Sequence, residues 1–373
     1  MKSEKFMKNY KLKISTKNKK YSIFIGKNLL KKIDRIFKKE NIEFKKCLIV
    51  SDSKIPLSIK KLILRKLKNK NPHLINFVSS EKNKNYYNIN KILNLLLKKN
   101  FSRNDCLISV GGGIVGDISG FAASIYKRGI KFINIPSTLL AQVDSSIGGK
   151  TGINNKFGKN LIGSFYPPDL VISDTIFLNS LPKREMICGY GEILKHTIIG
   201  SKKNFDYLNK YKKKILNKQS PFVEKTIYES CKIKKVIVQK DEKEKNLRKV
   251  LNFGHTFAHA YEASLKYSNN LNHGEAVILG IISASKFSYQ NKILNISDLN
   301  KILNHIKNLN LNFSLKKFFK KNSSSQIAKF MKIDKKNNSS KINLILIKKI
   351  GQPLINYQYN IKKIESFLSK ELI

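Results

Sequence analysis

The sequence predicts an N-terminal α/β domain on a parallel, Rossmann-like sheet over 1–176. A mostly α-helical C-terminal domain follows over 177–373. Three observations carry this. The chain has 373 residues, about two domains at roughly 150 each. Short apolar runs alternate with segments of helical period up to about residue 136, the signature of βαβ units. From about residue 175 helical periodicity dominates and strand signals nearly vanish.

Tyr21-Ser-Ile-Phe-Ile-Gly alternates as a strand does, and 28–39 has helical period. Cys47-Leu-Ile-Val-Ser-Asp52 is apolar throughout and ends in a polar turn, as expected of a parallel strand buried on both faces. A helix is expected over 55–68, a strand at Leu74-Ile-Asn-Phe-Val and a helix over 87–99. Cys106-Leu-Ile-Ser-Val is a third apolar strand and runs straight into glycines. A helix over 118–126 and a strand at Lys131-Phe-Ile-Asn-Ile complete the pattern. Helices are then expected over 181–218, 223–240, 248–267, 274–290 and 299–320. Ile342-Asn-Leu-Ile-Leu-Ile is β-like.

The chain is 41% hydrophobic, enough for a sizeable core. No apolar run approaches the roughly 20 residues that span a bilayer, and the N-terminal ten residues lack the apolar stretch of a secretory signal. Both point to a cytoplasmic protein without a membrane partner. Cys47, Cys106, Cys188 and Cys231 form no C-x-x-C, so neither a disulfide framework nor a cysteine zinc site is expected. The formal charge is +48, from 73 Lys+Arg against 25 Asp+Glu, which raises nucleic acid as a partner. Only six of those cations are Arg (Arg35, Arg65, Arg103, Arg128, Arg184 and Arg248), and base readout favours Arg. The scattered lysines, with abundant Asn and Ile and no Trp, are read as drift in an AT-rich gene, so no specific nucleic-acid partner is expected.

Gly111-Gly-Gly-Ile-Val-Gly116-Asp117 satisfies G-x-G-x-x-G, follows a strand and opens a helix. Backbone N–H groups there can hold a pyrophosphate; a tight turn is the plainer alternative. No acid stands 20 positions on, so Asp52, at the end of an earlier strand, is the candidate ribose contact. Asp144-Ser-Ser-Ile-Gly-Gly-Lys150-Thr151 ends like a P-loop, but Asp144 replaces its first glycine and a triphosphatase is rejected. The Gly-rich basic stretch continuing to Lys159-Asn160 reads as a loop that cradles phosphate or carboxylate. Of six histidines, His255 and His259 lie four apart on one helix and His273 follows. With Glu192 they can supply a two-His, one-Glu metal set with an open position; spacing does not say which two. His73, His196 and His305 are read as ordinary histidines.

These blocks resemble the 3-dehydroquinate synthases, a family of the sugar phosphate cyclases. The resemblance is carried by 111–117, Tyr126-Lys-Arg128-Gly, Ile135-Pro-Ser-Thr-Leu-Leu-Ala-Gln-Val-Asp144 through Thr151, Gly158-Lys159-Asn160-Leu-Ile-Gly, Leu181-Pro-Lys-Arg-Glu185, Glu192-Ile-Leu-Lys195, Asp241-Glu-Lys-Glu, Arg248 through His259 and His273-Gly-Glu-Ala-Val, in family order over about 80–350. It implies zinc, or cobalt, on Glu192, His255 and His273, with His259 on substrate phosphate. It places Arg128, Lys150, Asn160, Lys195, Asn252 and one of Lys335 and Lys336 on substrate, Lys234 and Arg248 on its carboxylate, and Asp144 beside the reacting centre. Asp144, Lys150, Lys195 and His259 are the implied catalytic residues. NAD lies on Gly112, Gly113, Gly116 and Asp117, with Asp52, Glu81, Lys84, Ser137, Thr138, Lys159 and Ser180 around it.

The implied reaction converts 3-deoxy-D-arabino-heptulosonate 7-phosphate to 3-dehydroquinate and phosphate, in the shikimate route to aromatic amino acids. A secondary alcohol is oxidised with bound NAD, and the ketone acidifies the neighbouring C–H so that phosphate leaves. The hydride is returned, the ring opens, and an intramolecular aldol closes the carbocycle. A homodimer is implied as well. Gly191, His196, Ala258 and Ser137 replace the usual Ala, Tyr, Gly and Thr, and Ser80-Glu81-Lys-Asn-Lys84 replaces Gly-Glu-x-x-Lys. Gly191 costs roughly 1 kcal/mol of helix propensity. A sibling cyclase would share most motifs, but Lys234 and Arg248 favour the keto acid. An alcohol dehydrogenase would not need the phosphate set.

Overall fold

The computed structural model describes residues 9–373 except 18, 269, 310–312 and 334–340. The chain forms two compact units, Met1–Pro182 with Lys218–Lys243, and Lys183–Asn217 with Glu244–Ile373.

The first unit is built on a seven-stranded sheet of β1 (Tyr10–Ser15), β2 (Lys20–Gly26), β3 (Cys47–Asp52), β4 (Pro72–Phe77), β5 (Cys106–Gly111), β6 (Lys131–Pro136) and β9 (Leu170–Asp174). The spatial order is β1-β2-β9-β6-β5-β3-β4. Only β1 runs antiparallel to its neighbour. Alternation along each strand feeds two cores. Ile49, Ile108, Ile133 and Ile172 face α1 (Ile33–Lys39) and α2 (Leu57–Lys66), where Ile36, Phe37 and Ile63 pack. Leu48, Val50, Leu107 and Phe132 face α3 (Tyr86–Lys98) and α4 (Gly113–Ile125), where Ile92, Leu96 and Ile118 pack.

Several expectations change. Helix α4 begins at Gly113 rather than 118, so the glycines form its first turn. The loop expected through 150–163 is a hairpin, β7 (Lys150–Asn155) and β8 (Gly158–Phe165). Its glycines signal close approach: a Cβ on Gly163 would lie 2.0 Å from the Thr151 carbonyl oxygen. The helix expected over 181–218 breaks into α5 (Lys183–Gly200) and α6 (Lys202–Leu216) because Ser201 caps α6 through the Asn204 N–H. Finally, α7 (Phe222–Lys240) packs on β1 and β2 of the first unit, although the sequence reading placed it in the second domain.

The second unit holds α5, α6, α8 (His255–Ser264), α9 (His273–Gln290), α10 (Ile296–Lys307), α11 (Ser324–Ile333), the antiparallel pair β10 (Lys341–Lys349) and β11 (Gln352–Asn360), and α12 (Ile361–Glu371). Helix α5 is its axis, buried from Met186 to Ile199. Where α9 meets it, a Cβ on Gly274 would fall 2.1 Å from the Cys188 Cα. Beyond α10 the described chain has only short turns of 3-10 helix before α11, where the sequence reading extends a helix to 320. No described helix is long and apolar enough to cross a membrane.

Candidate NAD edge and metal centre

In the first unit, β4 is laid outside β3, and the chain then returns to place β5 on the other side of β3. The strand order therefore reverses between β3 and β5, the point where open α/β sheets bind ligands at their carboxyl ends. Gly112 caps α4 there. A Cβ on Gly112 would lie 3.2 Å from Thr138, and one on Gly113 3.0 Å from the Ser145 Oγ. Bare backbone N–H groups at this helix start suit a pyrophosphate. Asp52 ends the neighbouring strand and is buried; its carboxylate accepts from the Lys54 N–H at 3.0 Å. Ser137 and Thr138 follow β6, and Gly116 sits in α4 against Asn134.

Beside the turn, buried Lys84 donates to Asp117 at 2.6 Å and to Asn160. Burial pushes the Asp117 carboxyl above its usual range, with Lys84 opposing. Asn154 ties this cluster to Glu81, donating to its Oε2 at 2.7 Å, and accepts from the Asn160 N–H at 3.0 Å. Lys150, Lys159 and Ser180 are exposed. Asp144 sits in a single turn of π-helix over Ala141–Ser145, a form common at functional sites. Lys234, buried on α7, donates to the Asp144 Oδ1 at 2.6 Å and to its carbonyl at 2.7 Å. Arg128 is not brought to this edge. It lies beyond the far end of α4, exposed, with φ 65°, just before β6 begins.

In the second unit, α5 supplies Glu192, α8 supplies His255 and His259, and α9 opens with His273. The Glu192 Oε1 lies 3.4 Å from the His255 Nε2 and 3.7 Å from the His273 Nε2. Ligand bonds of about 2.0–2.2 Å at tetrahedral angles put adjacent donors roughly 3.3–3.6 Å apart. A buried carboxylate and two imidazoles at this spacing fit zinc or cobalt. Burial would raise the Glu192 carboxyl, but Lys195, in direct ion contact, and the two imidazoles hold it well below the usual range. Burial and the Lys195 charge push His255 down to about 4, keeping its lone pair available. His273 is pushed up to about 10, against burial, by Glu192 and Glu262. His259 stacks beside His273 with ring centroids 6.2 Å apart, and its side chain is not among the three converging donors.

Helix contacts set this spacing. Gly254, at φ 78°, starts α8, and a Cβ there would meet the Ile281 N–H of α9 at 2.8 Å. Asn272 and Glu275 form a capping box at the head of α9. Arg184 of α5 clasps Glu275 through two bonds, at 2.9 and 2.7 Å. Asn252 donates to Glu244 at 3.2 Å, and Arg248 is buried in the 3-10 turn before α8. Lys335 and Lys336 lie outside the described residues. Sequence reasoning missed Glu262, whose carboxylate lies 3.4 Å from the His273 Nδ1. Its spacing from His255 and His259, i+7 and i+3 on one helix face, was the available signal.

The chain matches the family model "3-dehydroquinate synthase N-terminal" over residues 74–188 and "3-dehydroquinate synthase C-terminal" over 189–337. A 3-dehydroquinate synthase of Pelagibacter ubique (strain HTCC1062) is 58% identical over 97% of this chain and 98% of its own. Among solved structures, a 2-deoxy-scyllo-inosose synthase complexed with carbaglucose-6-phosphate, NAD+ and Co2+ superposes with TM-score 0.84 at 25% identity, covering 97% of this chain and 100% of that one. A 2-epi-5-epi-valiolone synthase from Streptomyces hygroscopicus subsp. jinggangensis 5008, with NAD+ and Zn2+ bound, has TM-score 0.83 at 23% identity, covering 96% of this chain and 98% of that one, and shares the fold.

Proposed function

Because the chain belongs to the 3-dehydroquinate synthase family, we propose that it converts 3-deoxy-D-arabino-heptulosonate 7-phosphate to 3-dehydroquinate and inorganic phosphate, as an NAD- and divalent-metal-dependent carbon–oxygen lyase. The observation that carries the reading is the convergence of the Glu192 carboxylate with the Nε2 atoms of His255 and His273, 3.4 and 3.7 Å away. These three residues hold the metal, zinc or cobalt by their donor chemistry. The α/β unit takes NAD and the helical unit the metal.

When bound, NAD accepts and returns a hydride and the metal polarises the alcohol oxygen. The chain's own groups do the rest. The N–H groups of the turn at Gly112 and Gly113 bind the pyrophosphate, with Gly116 and Asp117 completing the turn. Asp52, Glu81, Lys84, Ser137, Thr138, Lys159 and Ser180 orient the remainder of the dinucleotide. Lys150, Asn160, Lys195, Asn252 and His259, with Lys335 or Lys336, bind substrate hydroxyls and phosphate. Charge-assisted bonds of this kind are the strong ones. Lys234 and Arg248 bind the carboxylate. Asp144, held by Lys234, stands beside the reacting carbon. Elimination leaves phosphate as a dianion, so His259 is suited to hold a proton against the departing oxygen. The family resemblance supports a homodimer acting in the cytoplasm on this small phosphorylated keto acid, without nucleic acid or membrane.

The test is phosphate release from 3-deoxy-D-arabino-heptulosonate 7-phosphate by the purified protein, with and without added NAD and zinc, following 3-dehydroquinate in the same tube. Turnover that requires both cofactors is expected. Folded, metal-loaded, NAD-bound protein that releases no phosphate would assign the chain to a sibling cyclase substrate instead.

A further inference from the structure

We infer that Glu262 is a positioning residue for metal binding: it fixes the tautomer and ring plane of His273 so that the Nε2 faces Glu192 bare. The inference rests on the proposed assignment of Glu192, His255 and His273 as ligands.

Helix α8 places Glu262 at i+7 from His255 and i+3 from His259, on the face that meets the head of α9. The Glu262 side chain is only 13% exposed, and its Oε1 and Oε2 both lie 3.4 Å from the His273 Nδ1. The other nitrogen of that ring, Nε2, lies 3.7 Å from the Glu192 Oε1. His273 is thus held between two carboxylates, one per nitrogen. A neutral imidazole has one N–H and one lone pair. For Nε2 to bind a metal, the proton must sit on Nδ1, where only an acceptor is tolerated. Glu262 supplies that acceptor, and its charge makes Nε2 a better donor.

His255 meets the same requirement differently. Its Nδ1 faces a neutral acceptor, the Phe253 carbonyl, at 3.4 Å. Backbone fixes that partner, so no substitution removes it. The His273 arm depends on a side chain and is the one that mutation can loosen.

The test uses the full chain, with zinc affinity read by chelator competition and site geometry by the visible spectrum of the cobalt-loaded protein. Glu262→Leu removes the acceptor; Glu262→Gln keeps an acceptor without the charge. The expected result is a metal Kd raised about 10–100-fold by Glu262→Leu, a smaller rise with Glu262→Gln, and shifted cobalt bands in both. NAD affinity should stay at the wild-type value. Wild-type affinity and spectrum in both variants would overturn the inference. So would an affinity loss that leaves the cobalt bands at their wild-type positions, which marks a packing role. If His255→Ala binds metal as tightly as wild type, the ligand assignment itself fails and this inference falls with it.

Discussion

Helix α5 serves two histidine clusters of the helical unit, a half-buried one at His255 and His273 and a buried one at His305. At one, the His255 and His273 Nε2 atoms converge on the Glu192 carboxylate. At the other, His305 receives the Tyr190 hydroxyl at its Nε2, 2.9 Å away, and its Nδ1 lies 3.1 Å from the Asn209 Oδ1. Tyr190 also stacks on that ring at an interplanar angle of 4°. Tyr190 and Glu192 are two residues apart on α5, so they leave the helix on different sides. Both nitrogens of His305 are satisfied by neutral protein groups, which closes that centre. At the first centre each Nε2 points to a carboxylate oxygen that can bind a cation. The proposed ligand histidines and His305 thus differ in the partners of their ring nitrogens.

The sharpest break of this comparison is His255→Ala. It should abolish metal retention and lower turnover at least about a thousandfold. A polarising metal is worth several kcal/mol, and each about 1.4 kcal/mol is tenfold. Metal analysis and steady-state assay check it; a fully metallated, active variant refutes the ligand set. The companion change, His259→Ala, should keep the metal and weaken phosphate-bearing ligands by roughly 10–100-fold, the loss of a charged hydrogen bond of about 1.5–3 kcal/mol. Calorimetry with inorganic phosphate and metal analysis decide it. Loss of metal there would reverse the roles of the pair.

Changes at the closed centre should move stability and leave metal alone. Tyr190→Phe leaves the buried His305 Nε2 without its donor and should cost about 1–3 kcal/mol of unfolding free energy, read by urea titration, with zinc affinity unchanged. A smaller effect is the pH slope. Burial, with the Lys212 charge, pushes His305 down to about 3. Below about pH 6.5 the unfolded chain takes up a proton that the folded chain refuses. This contribution to stability is therefore intact above pH 6.5 and lost as pH falls toward 3, at no more than about 1.4 kcal/mol per unit. His305→Leu should flatten the slope over pH 4–6; equal slopes would remove His305 from the account.

The two units differed in how much the sequence disclosed. The candidate NAD edge was legible because its parts are contiguous: Cys106–Gly111 is an apolar strand and Gly112–Asp117 the turn and helix start behind it. The same glycine signal misled at 150–163, where Gly152 and Gly163 permit close strand contact rather than a loop. The candidate metal centre was half legible. Spacing grouped His255, His259 and His273 but could not choose among them. The choice depends on how helices separated in sequence pack, and the residues that fix the packing look ordinary in one dimension. Gly191 read as a propensity cost of roughly 1 kcal/mol; in the fold its missing Cβ would lie 2.9 Å from the Gly274 carbonyl oxygen, next to Glu192 in the chain. Arg184 and Glu275, 91 residues apart, share no local pattern that foretells their clasp. Position 128 read as part of the site, yet the unit that carries it places Arg128 at the edge opposite the glycine turn.

The most direct test of the ligand assignment is anomalous scattering at the cobalt edge from crystals of the cobalt-loaded protein. One peak within bonding distance of the Glu192 carboxylate and the Nε2 atoms of His255 and His273, with none at His305, is the predicted result. A peak bonded to His259 in place of either partner, or no peak among these residues, would contradict it.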